Sequence, residues 1–204
     1  RNKDSDIVIS AGNTGALLVI SKLNLKMIEN IDKPALSALW PNKKGMSVVL
    51  DLGANIECSS KNLLDFSIMG ASLYTSLYPK EKPNVALLNI GSEELKGNEI
   101  IKETYQLLNE KNSKNYNFTG YIEGNHLMDG KVNVIVSDGF TGNVALKTAE
   151  GTANFITDEL KLALSGSILG KISSLLNISN LKKFKKRLDP RLYNGAIFIG
   201  LDAP

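Results

Sequence analysis

One stretch of the chain, Val132-Asn-Val-Ile-Val-Ser-Asp-Gly-Phe-Thr-Gly-Asn143, carries the pattern from which the architecture follows. Its first half, Val132–Ser137, is a short apolar run, which is typical of a strand buried within a sheet. A corner rich in glycine and asparagine comes next, and helical spacing of apolar residues then runs from Val144 to Leu164. The stretch therefore predicts a strand, a tight corner and a helix, the beginning of a βαβ unit.

The same combination of an apolar run and a corner recurs three more times. Strands are predicted at Asp6–Ser10, Ser47–Leu52 and Val85–Ile90. Because the carboxyl ends of parallel strands meet at one edge of an open sheet, where ligands bind, we expect the corners to form a site. Glycines allow close backbone approach there, and helix N-termini offer N–H groups to anions. The three corners read Ser10-Ala-Gly-Asn-Thr-Gly-Ala16, Asp51-Leu-Gly-Ala-Asn55 and Asn89-Ile-Gly-Ser-Glu-Glu-Leu-Lys-Gly-Asn98.

Helices and strands alternate along most of the remaining sequence, which predicts an α/β fold with a mainly parallel sheet and flanking helices. Asn13 is a good N-cap for the first predicted helix. The predicted helices before the opening stretch are Thr14–Glu29, Leu63–Tyr78 and Gly97–Asn109. The further predicted strands are Ala35–Trp40 and Phe118–Ile122, and Pro41-Asn-Lys-Lys-Gly45 is predicted to be a turn.

The composition is that of a globular protein: 43% of the 204 residues are hydrophobic and 22% are charged, enough to form a core. The single cysteine, Cys58, excludes an internal disulfide and suits a reducing compartment. A net charge of +3 is too small to indicate binding to nucleic acid. Since no signal peptide or membrane-spanning stretch is present, the sequence predicts a cytoplasmic protein.

We expect one α/β domain over residues 1–204. The chain opens on Arg1 shortly before a predicted strand and closes just after the apolar run Ala196–Leu201. Most of the predicted strands are apolar runs that need partners on both sides. On this basis we expect a fragment that lacks N-terminal and C-terminal parts.

The residue pattern of the segment 160–188 differs from that of the chain before it. Apolar residues at helical spacing are followed by the basic run Lys182-Lys-Phe-Lys-Lys-Arg187. One interpretation is a pair of amphipathic helices packed on the sheet with a solvated basic face. The other is a helical projection whose apolar side meets a partner subunit or a membrane surface, while the lysines face anionic lipid or an acidic protein. Both interpretations remain open at this point.

Five motifs in order give the chain a likeness to a known family. They are the first three corners, the stretch Asp138–Lys147 with Glu150-Gly151, and Tyr193-Asn-Gly-Ala196. With these motifs the chain resembles the bacterial phosphate acyltransferase family of phospholipid synthesis (PlsX). The resemblance covers nearly the whole sequence.

The resemblance implies a homodimeric enzyme with an isocitrate/isopropylmalate dehydrogenase-like fold, related to phosphate acetyltransferases. It implies a reaction in which acyl carrier protein thioester and inorganic phosphate give acyl phosphate. No cofactor is predicted. Peripheral attachment to a membrane would suit an enzyme of phospholipid synthesis. The alternatives are a phosphate acetyltransferase-like enzyme and a non-catalytic module of the same fold that binds acyl carrier protein or membrane. A dehydrogenase is disfavoured, since no Gly-x-Gly-x-x-Gly follows a predicted strand.

Phosphate is a competent nucleophile near neutral pH, and a thiol with a pKa of about 8.5 leaves without strong acid assistance. The site therefore needs an anion cradle, alignment and a donor to the developing oxyanion rather than a Ser or Cys nucleophile. Lysine charge, amide donors and glycine corners meet those needs. The catalytic candidates are Lys96, Asn89 and Lys147. The candidates for binding phosphate or substrate are Gly12, Asn13, Thr14, Gly15, Asp51, Asn55, Gly91, Glu93, Asp138, Gly142 and Asn143.

The carboxylates among these candidates also have structural interpretations. Glu93 would pair with Lys96 across one helical turn, while Asp51 and Asp138 would cap loops. The sequence shows no metal-ligand spacing, so no metal is predicted. Cys58 lacks an adjacent histidine and is expected to be inert, and His126, the sole histidine, is expected to lie in a solvated loop.

Overall fold

The computed structural model of the protein describes residues 7–111, 113–189 and 195–202. Within these residues, six strands form one sheet in the order β4-β3-β5-β2-β1-β6. The strands are β1 (Ala35–Asn42), β2 (Gly45–Leu50), β3 (Asn84–Asn89), β4 (Asn117–Glu123), β5 (Val134–Val136) and β6 (Ala196–Ile199). The helices are α1 (Thr14–Asn24), α2 (Ser60–Leu77), α3 (Glu99–Lys111), α4 (Gly139–Ser165), α5 (Ile168–Leu176) and α6 (Ile178–Leu188).

The sheet is mixed but mostly parallel. Strands β4, β3, β5 and β2 are parallel neighbours, whereas β1 pairs antiparallel with both β2 and β6. The predicted α/β fold with a mainly parallel sheet is confirmed in this form. Strict alternation of strand and helix fails at β1 and β2, which form a hairpin, because the turn between them is far too short for the crossover that parallel strands need.

The first predicted strand, Asp6–Ser10, is wrong over its described part. Ile7–Ser10 forms no strand, and the side chain of Ile9 is 92% exposed. A strand is held by hydrogen bonds to its neighbours, and no described strand pairs with this segment. Asp6 lies outside the described residues. The first corner therefore does not follow a strand.

Helix α1 begins at Thr14 with Asn13 as its N-cap, as predicted, but it ends at Asn24 instead of Glu29. The reason is a competing pairing. The N–H of Ile28 donates to the carbonyl of Gly200, and the N–H of Asp202 donates to the carbonyl of Lys26. These bonds pair the chain around Met27 with the chain around Leu201, so tertiary pairing overrides the helical spacing.

The other predicted elements are present with shifted ends. Helix α2 starts at Ser60, before the predicted Leu63, because Ser59 and Asn62 form a capping box. Helix α4 starts at Gly139, five residues before the predicted Val144, directly after the corner. Most other bounds differ by one to three residues, the ordinary uncertainty of helix and strand ends.

Helix α2 packs on the sheet and fixes the strands that carry the corners. Its Phe66 and Leu63 are buried in the same core as Leu50 of β2 and Val134 of β5. Gly70 allows the closest approach, since an added Cβ would lie 2.6 Å from a methyl group of Val134. This contact holds β2 and β5 under one helix.

The chain divides into two compact units. The first contains the described residues up to Asn143 together with β6, and hence the sheet and all four corners. The second is Val144–Gly195, which contains most of α4 together with α5 and α6. The predicted helical segment 160–188 falls in the second unit. In the described part of the chain, no helix combines the length and apolar character needed to cross a membrane.

Candidate active site

Three of the four corners lie side by side at the carboxyl edge of the sheet. They follow β3, β5 and β2, which are parallel neighbours with β5 in the middle. The N–H of Asp51 donates to the carbonyl of Ser137 at 3.0 Å, and the N–H of Ser137 donates to the carbonyl of Leu50 at 2.7 Å. The corners after β2 and β5 are therefore in direct contact.

The carboxylate of Asp51 organises the corner after β2. Its side chain is fully buried. Oδ1 accepts the backbone N–H groups of Leu36, Gly53 and Ala54 at 3.0, 3.2 and 3.0 Å. Oδ2 accepts the backbone N–H of Asn55 at 2.7 Å and its side-chain Nδ2 at 2.8 Å. The carboxylate thus has five donors within the protein and matches the predicted loop-capping interpretation.

The side chain of Asn55 was predicted as a neutral donor to substrate. Both of its amide hydrogens are engaged within the protein, by Asp51 and by the carbonyl of Pro34 at 2.7 Å. The backbone carbonyl of Asn55 accepts the N–H of Gly139 at 2.7 Å. Asn55 therefore fastens the corner after β2 to the first residue of α4.

The corner after β5 is capped by Asp138. Its Oδ1 accepts the N–H of Thr141 at 2.8 Å, and its Oδ2 accepts the hydroxyl of Thr141 at 2.8 Å. These are the bonds of a helix N-cap, as the structural interpretation predicted. Asp138 thereby satisfies one of the backbone N–H donors at the start of α4.

Two glycines bring α4 onto the neighbouring corner. A Cβ on Gly139 would lie 2.5 Å from the carbonyl oxygen of Asn55. A Cβ on Gly142 would overlap the carbonyl oxygen of Asp51. Any side chain at these positions would push the helix start away from the strand ends, so Gly139 and Gly142 serve close approach.

Asn143 lies beside this junction with its side chain available. It is exposed, and its Cγ lies 3.6 Å from the position that a Cβ on Gly53 would occupy. Its carboxamide makes no hydrogen bond to other described residues, unlike that of Asn55. The φ of Gly53 is +130°, a value that only glycine adopts readily. The corner thus presents a free amide donor next to a turn that lacks a side chain.

The corner after β3 is a curled loop closed by Asn89. Its Oδ1 accepts the N–H of Ile90 at 2.9 Å, and its Nδ2 donates to the carbonyl of Lys96 at 3.1 Å. Gly97, with a φ of +93°, passes so close that an added Cβ would lie 2.5 Å from Oδ1 of Asn89. Asn89 therefore holds the backbone that carries Lys96.

The ammonium group of Lys96 is available. Glu93 accepts the backbone N–H of Lys96 at its carbonyl oxygen at 3.0 Å, but the two side chains form no ion pair among the described residues. The predicted pairing of Glu93 with Lys96 is therefore wrong for the side chains. Gly91 leaves room for the side chains of both residues, since an added Cβ would lie 2.7 Å from Oε2 of Glu93.

Two groups of predicted residues remain. Gly12, Asn13, Thr14 and Gly15 are exposed, and the described hydrogen bonds of this first corner stay within residues 10–17. Lys147 lies in the second unit, where its ammonium group pairs with Glu150 at 2.8 Å. The roles assigned to both groups stay predictions. Tyr193 and Asn194 of the last motif lie outside the described residues.

Cys58 and His126 are placed as expected. The thiol of Cys58 is buried and donates to the carbonyl of Asn55 at 3.8 Å; burial, then the charge of Asp51, raises its pKa to about 11. It is therefore protonated at neutral pH and a poor nucleophile. The half-exposed ring of His126 lies 2.8 Å from the carboxylate of Asp129, in a short 3₁₀ turn. Asp129 also binds Lys43, in the hairpin turn at the opposite end of β2 from Asp51.

The comparisons with known proteins are consistent with this architecture. A family model described as "Fatty acid synthesis protein" matches residues 1–204. The chain belongs to the fatty acid synthesis protein family. The resemblance carried by the five motifs is thereby confirmed.

Relatives in this family are named phosphate acyltransferase. The chain is 81% identical over all 204 residues to that of Pelagibacter ubique (strain HTCC1062), of which it covers 61%. It is 45% identical over 199 residues, 98% of its own length, to that of Rhizobium etli, of which it covers 57%. The chain thus spans about three fifths of the length of these relatives.

Solved structures of phosphotransacetylases share the fold. One from Streptococcus pyogenes superposes with a TM-score of 0.59 at 13% identity, over 95% of this chain and 53% of the other. The EutD phosphotransacetylase from Staphylococcus aureus gives a TM-score of 0.53 at 15% identity, over 64% of this chain and 45% of the other. At this identity the likeness concerns the fold alone.

Sequence reasoning missed the partners that hold the Asp51 corner. The N–H of Leu36, the carbonyl of Pro34 and the buried Ser137 all take part, and each is distant from Asp51 in sequence. Pro34 and Leu36 belong to no recognisable motif, and Ser137 is predicted only as the end of a strand. The one available signal was the position of an aspartate directly before a Gly-Ala-Asn turn, whose N–H groups it can accept.

Proposed function

We propose that the protein transfers an acyl group from acyl carrier protein to inorganic phosphate and thereby supplies acyl phosphate for phospholipid synthesis. The observation that carries the proposal is the 81% identity, over the whole chain, to a relative named phosphate acyltransferase. The proposal concerns the natural protein that contains these residues.

In the proposed reaction a phosphate oxygen attacks the thioester carbonyl carbon and forms the new C–O bond. The carbonyl oxygen becomes an oxyanion, the C–S bond then breaks, and the carrier protein leaves as a thiolate that takes a proton from water. The chain's task is to align the reactants and stabilise the oxyanion. The ammonium group of Lys96 and the amide of Asn143, which bind no other side chain in the described part of the chain, are donors of the required kind.

We propose the following division of roles. Lys96, Asn89 and Lys147 remain the catalytic candidates, with Asn89 acting through the loop that carries Lys96. The first corner, Gly12–Gly15, cradles phosphate, since the start of a helix favours an anion and these residues are exposed. The remaining candidates shape the corners, and they are Asp51, Asn55, Gly91, Glu93, Asp138 and Gly142.

Exposed apolar side chains beside the corners favour a long acyl chain over an acetyl group. The hydrogen bond between Asn55 and Gly139 joins the corners after β2 and β5, and Ile56 and Phe140 are the next residues along the chain. Their side chains are 73% and 63% exposed. An acyl chain laid across them would remove this apolar surface from water. This apolar surface supports the proposal over the phosphate acetyltransferase-like alternative, because an acetyl group is too short to cover it.

For the finer fold we propose the isocitrate/isopropylmalate dehydrogenase-like type and a homodimer. Both are implied by the resemblance to the phosphate acyltransferases. The likeness to phosphotransacetylases agrees with the related fold that the resemblance implies. Within that architecture we propose one α/β domain over residues 1–204.

For the second unit we propose an amphipathic surface that attaches a cytoplasmic enzyme to the membrane. Leu175 and Leu176 of α5 are 70% and 82% exposed. Helix α6 carries the basic run, and all of its lysines are exposed. Apolar and cationic parts together are what binding to an anionic lipid surface requires. The alternative is that the basic run binds acidic acyl carrier protein.

The test is phosphate dependence of thioester consumption by the natural protein that contains this chain. We expect acyl carrier protein to be released from its acyl thioester only when phosphate is present, with acyl phosphate trapped as the hydroxamate. Binding of carrier protein or vesicles without any phosphate-dependent turnover would instead identify a non-catalytic module. Equal turnover of acetyl and long-chain thioesters would favour the phosphate acetyltransferase-like alternative.

A further inference from the structure

The backbone around Asp51 forms an anion-binding nest that the chain fills itself. Four backbone N–H groups point at the carboxylate, those of Leu36, Gly53, Ala54 and Asn55. Successive N–H groups of a turn that converge in this way bind phosphate in many proteins. Here the anion is a side chain, fully buried and covalently tethered at the centre of the nest.

A substrate phosphate has no route into this nest. Each converging N–H group is already used, and the carboxylate that uses them cannot diffuse away. The charge of Asp51 would also repel a second anion at short range. Asp51 is thus poorly suited to the ligand role that its position in a Gly-rich corner predicts.

The nest instead fixes the groups that face outward. The carboxylate holds residues 53–55 in place. The carbonyl of Asn55 can therefore accept the N–H of Gly139 at 2.7 Å. The same residues also place Gly53 beside the amide of Asn143, which makes no hydrogen bond with other described residues; a Cβ on Gly53 would lie 3.6 Å from Cγ of Asn143. We infer that Asp51 is a positioning residue of the acyl transfer, which sets the corner on which Asn143 and the start of α4 depend. This inference rests on the proposed function.

The first variant is Asp51→Asn. Its Oδ1 can still accept from Leu36, Gly53 and Ala54, but its new amide group would face the two N–H donors of Asn55. Displacing a site by about 1 Å costs on the order of a hundredfold in rate, so we expect a fall in kcat of about that size. The KM for phosphate should stay near that of the wild type, because phosphate does not touch Asp51.

The matched control is Asp65→Asn. Asp65 is another largely buried carboxylate of the first unit, on α2, where it pairs with Lys61 at 3.4 Å. It lies in no corner, so its loss should leave kcat unchanged. A milder variant of the nest is Asn55→Ala, which removes one side-chain donor, leaves the carboxylate in place and should reduce kcat by a smaller factor than Asp51→Asn.

The second test fills the nest from solution. Asp51→Ala leaves the N–H groups without an acceptor, and formate supplies a carboxylate of the right size. We expect formate to raise both the melting temperature and kcat of this variant in a saturable way, while chloride at equal ionic strength does not. Wild type and Asp65→Asn should show no such response.

The outcomes separate the two proposals. A folded Asp51→Asn with wild-type kcat, or a raised KM for phosphate with unchanged kcat, would overturn the positioning role. If the Asp51 variants do not fold, unchanged kcat in Asn55→Ala overturns it. The absence of phosphate-dependent turnover in the natural protein would defeat the proposed function, yet the formate-dependent melting of Asp51→Ala would still decide whether the nest exists.

Discussion

Gly142 in the first turn of α4 lies against the backbone carbonyl of Asp51, with no room for a Cβ between them. The contact joins the strand that carries one corner to the helix that follows another. It is the tightest of the approaches that bring the ends of β2 and β5 together, and it makes the junction sensitive to a single methyl group.

Gly142→Ala should therefore destabilise the protein strongly. The obstructing atom is backbone, which cannot rotate away, so we expect a loss of about 3 kcal/mol, the upper range for overpacking a tight site. In a chain of this size that corresponds to a fall in melting temperature of roughly 6–12 °C, measured by circular dichroism or calorimetry.

The control for this substitution is Gly151→Ala. Gly151 lies further along α4, and nothing stands within 4 Å of an added Cβ. Replacing an unobstructed helical glycine by alanine stabilises by about 0.5–1 kcal/mol. Equal effects at the two positions would show that the contact with Asp51 does not constrain the junction.

Lys96→Met should reduce turnover without reducing stability. The methionine keeps most of the aliphatic stem and removes an ammonium group that has no ion-pair partner among the described residues. If that group stabilises the oxyanion or the phosphate, its loss should lower kcat about ten- to a thousandfold, the usual range for a lost transition-state donor.

Lys147→Met and Lys102→Met provide graded comparisons. Lys147 is paired with Glu150, so we expect a smaller effect on kcat than at Lys96. Lys102 pairs with Glu99 on α3 and was not predicted to act in the site, so its removal should leave turnover unchanged. A loss of melting temperature with wild-type kcat in Lys96→Met would give that lysine a structural role.

Phe140→Ser and Ile56→Ser should weaken the use of long-chain thioesters more than that of short-chain ones. Each large apolar side chain contributes about 1.5–3 kcal/mol when fully buried, so losing part of that contact should raise the KM for a long acyl chain about tenfold. The measurement is KM across a series of acyl lengths.

The control for the acyl-length experiment is Leu77→Ser. Leu77 is also a half-exposed apolar residue, but it lies at the last turn of α2 and in none of the corners. Its KM profile should match that of the wild type. If all three variants behave alike, the apolar side chains beside the corners do not bind the acyl chain.

The sequence was informative where local patterns and tertiary structure agree. Val134–Val136 is buried on both faces of the sheet, and its unbroken apolar run predicted this directly. The sequence pattern was misleading at Ile7–Ser10, because an apolar run becomes a strand only where another strand pairs with it. The early end of α1 has the same origin, since the pairing of Met27 with Leu201 depends on residues far away in sequence.

The sequence predicted the types of residue at the candidate site better than it predicted the role of each residue. The corners identified Asn55 and Asn143 as equivalent amide donors, yet one has both amide hydrogens engaged and the other has none engaged among the described residues. The difference arises from the packing of Pro34 and Asp51 around Asn55. No spacing rule within the sequence contains that information.

Acid should remove a contribution of Asp129 to stability. The ion pair with Lys43, and then the contact with His126, lower the pKa of Asp129 from 3.8 to about 2 in the folded protein. Because the pKa is lower in the folded state, the ionised carboxylate stabilises the folded protein at pH values above the pKa of the unfolded chain. This contribution is lost as the pH falls from about 4 to about 2. Unfolding by urea at a series of pH values measures this loss.

Asp129→Asn should flatten the part of the stability curve between those two pH values, and Lys43→Met should reduce its slope, because the lysine is the larger cause of the shift. Both residues lie on the surface, so the absolute effect is small and falls with salt. A wild-type acid slope in Asp129→Asn would mean that other carboxylates produce it.

The basic and apolar parts of α5 and α6 should make separable contributions to membrane binding. Near an anionic surface each lysine or arginine contributes about 1 kcal/mol, an attraction that salt weakens, whereas the burial of apolar side chains is insensitive to salt. Replacing Lys182, Lys183, Lys185 and Lys186 by glutamate should therefore reduce co-sedimentation with anionic vesicles more than with neutral ones. Leu175→Asp together with Leu176→Asp should reduce both.

The same lysines distinguish membrane attachment from the docking of acyl carrier protein. If the charge-reversed protein still binds anionic vesicles normally but shows a higher KM for acyl carrier protein thioester, the basic run docks the carrier protein and the membrane proposal fails. If vesicle binding falls while that KM is unchanged, the run serves the membrane. Since Leu175 and Leu176 lie on α5 and the lysines on α6, a carrier-protein role predicts that the leucine variants leave the KM unaltered.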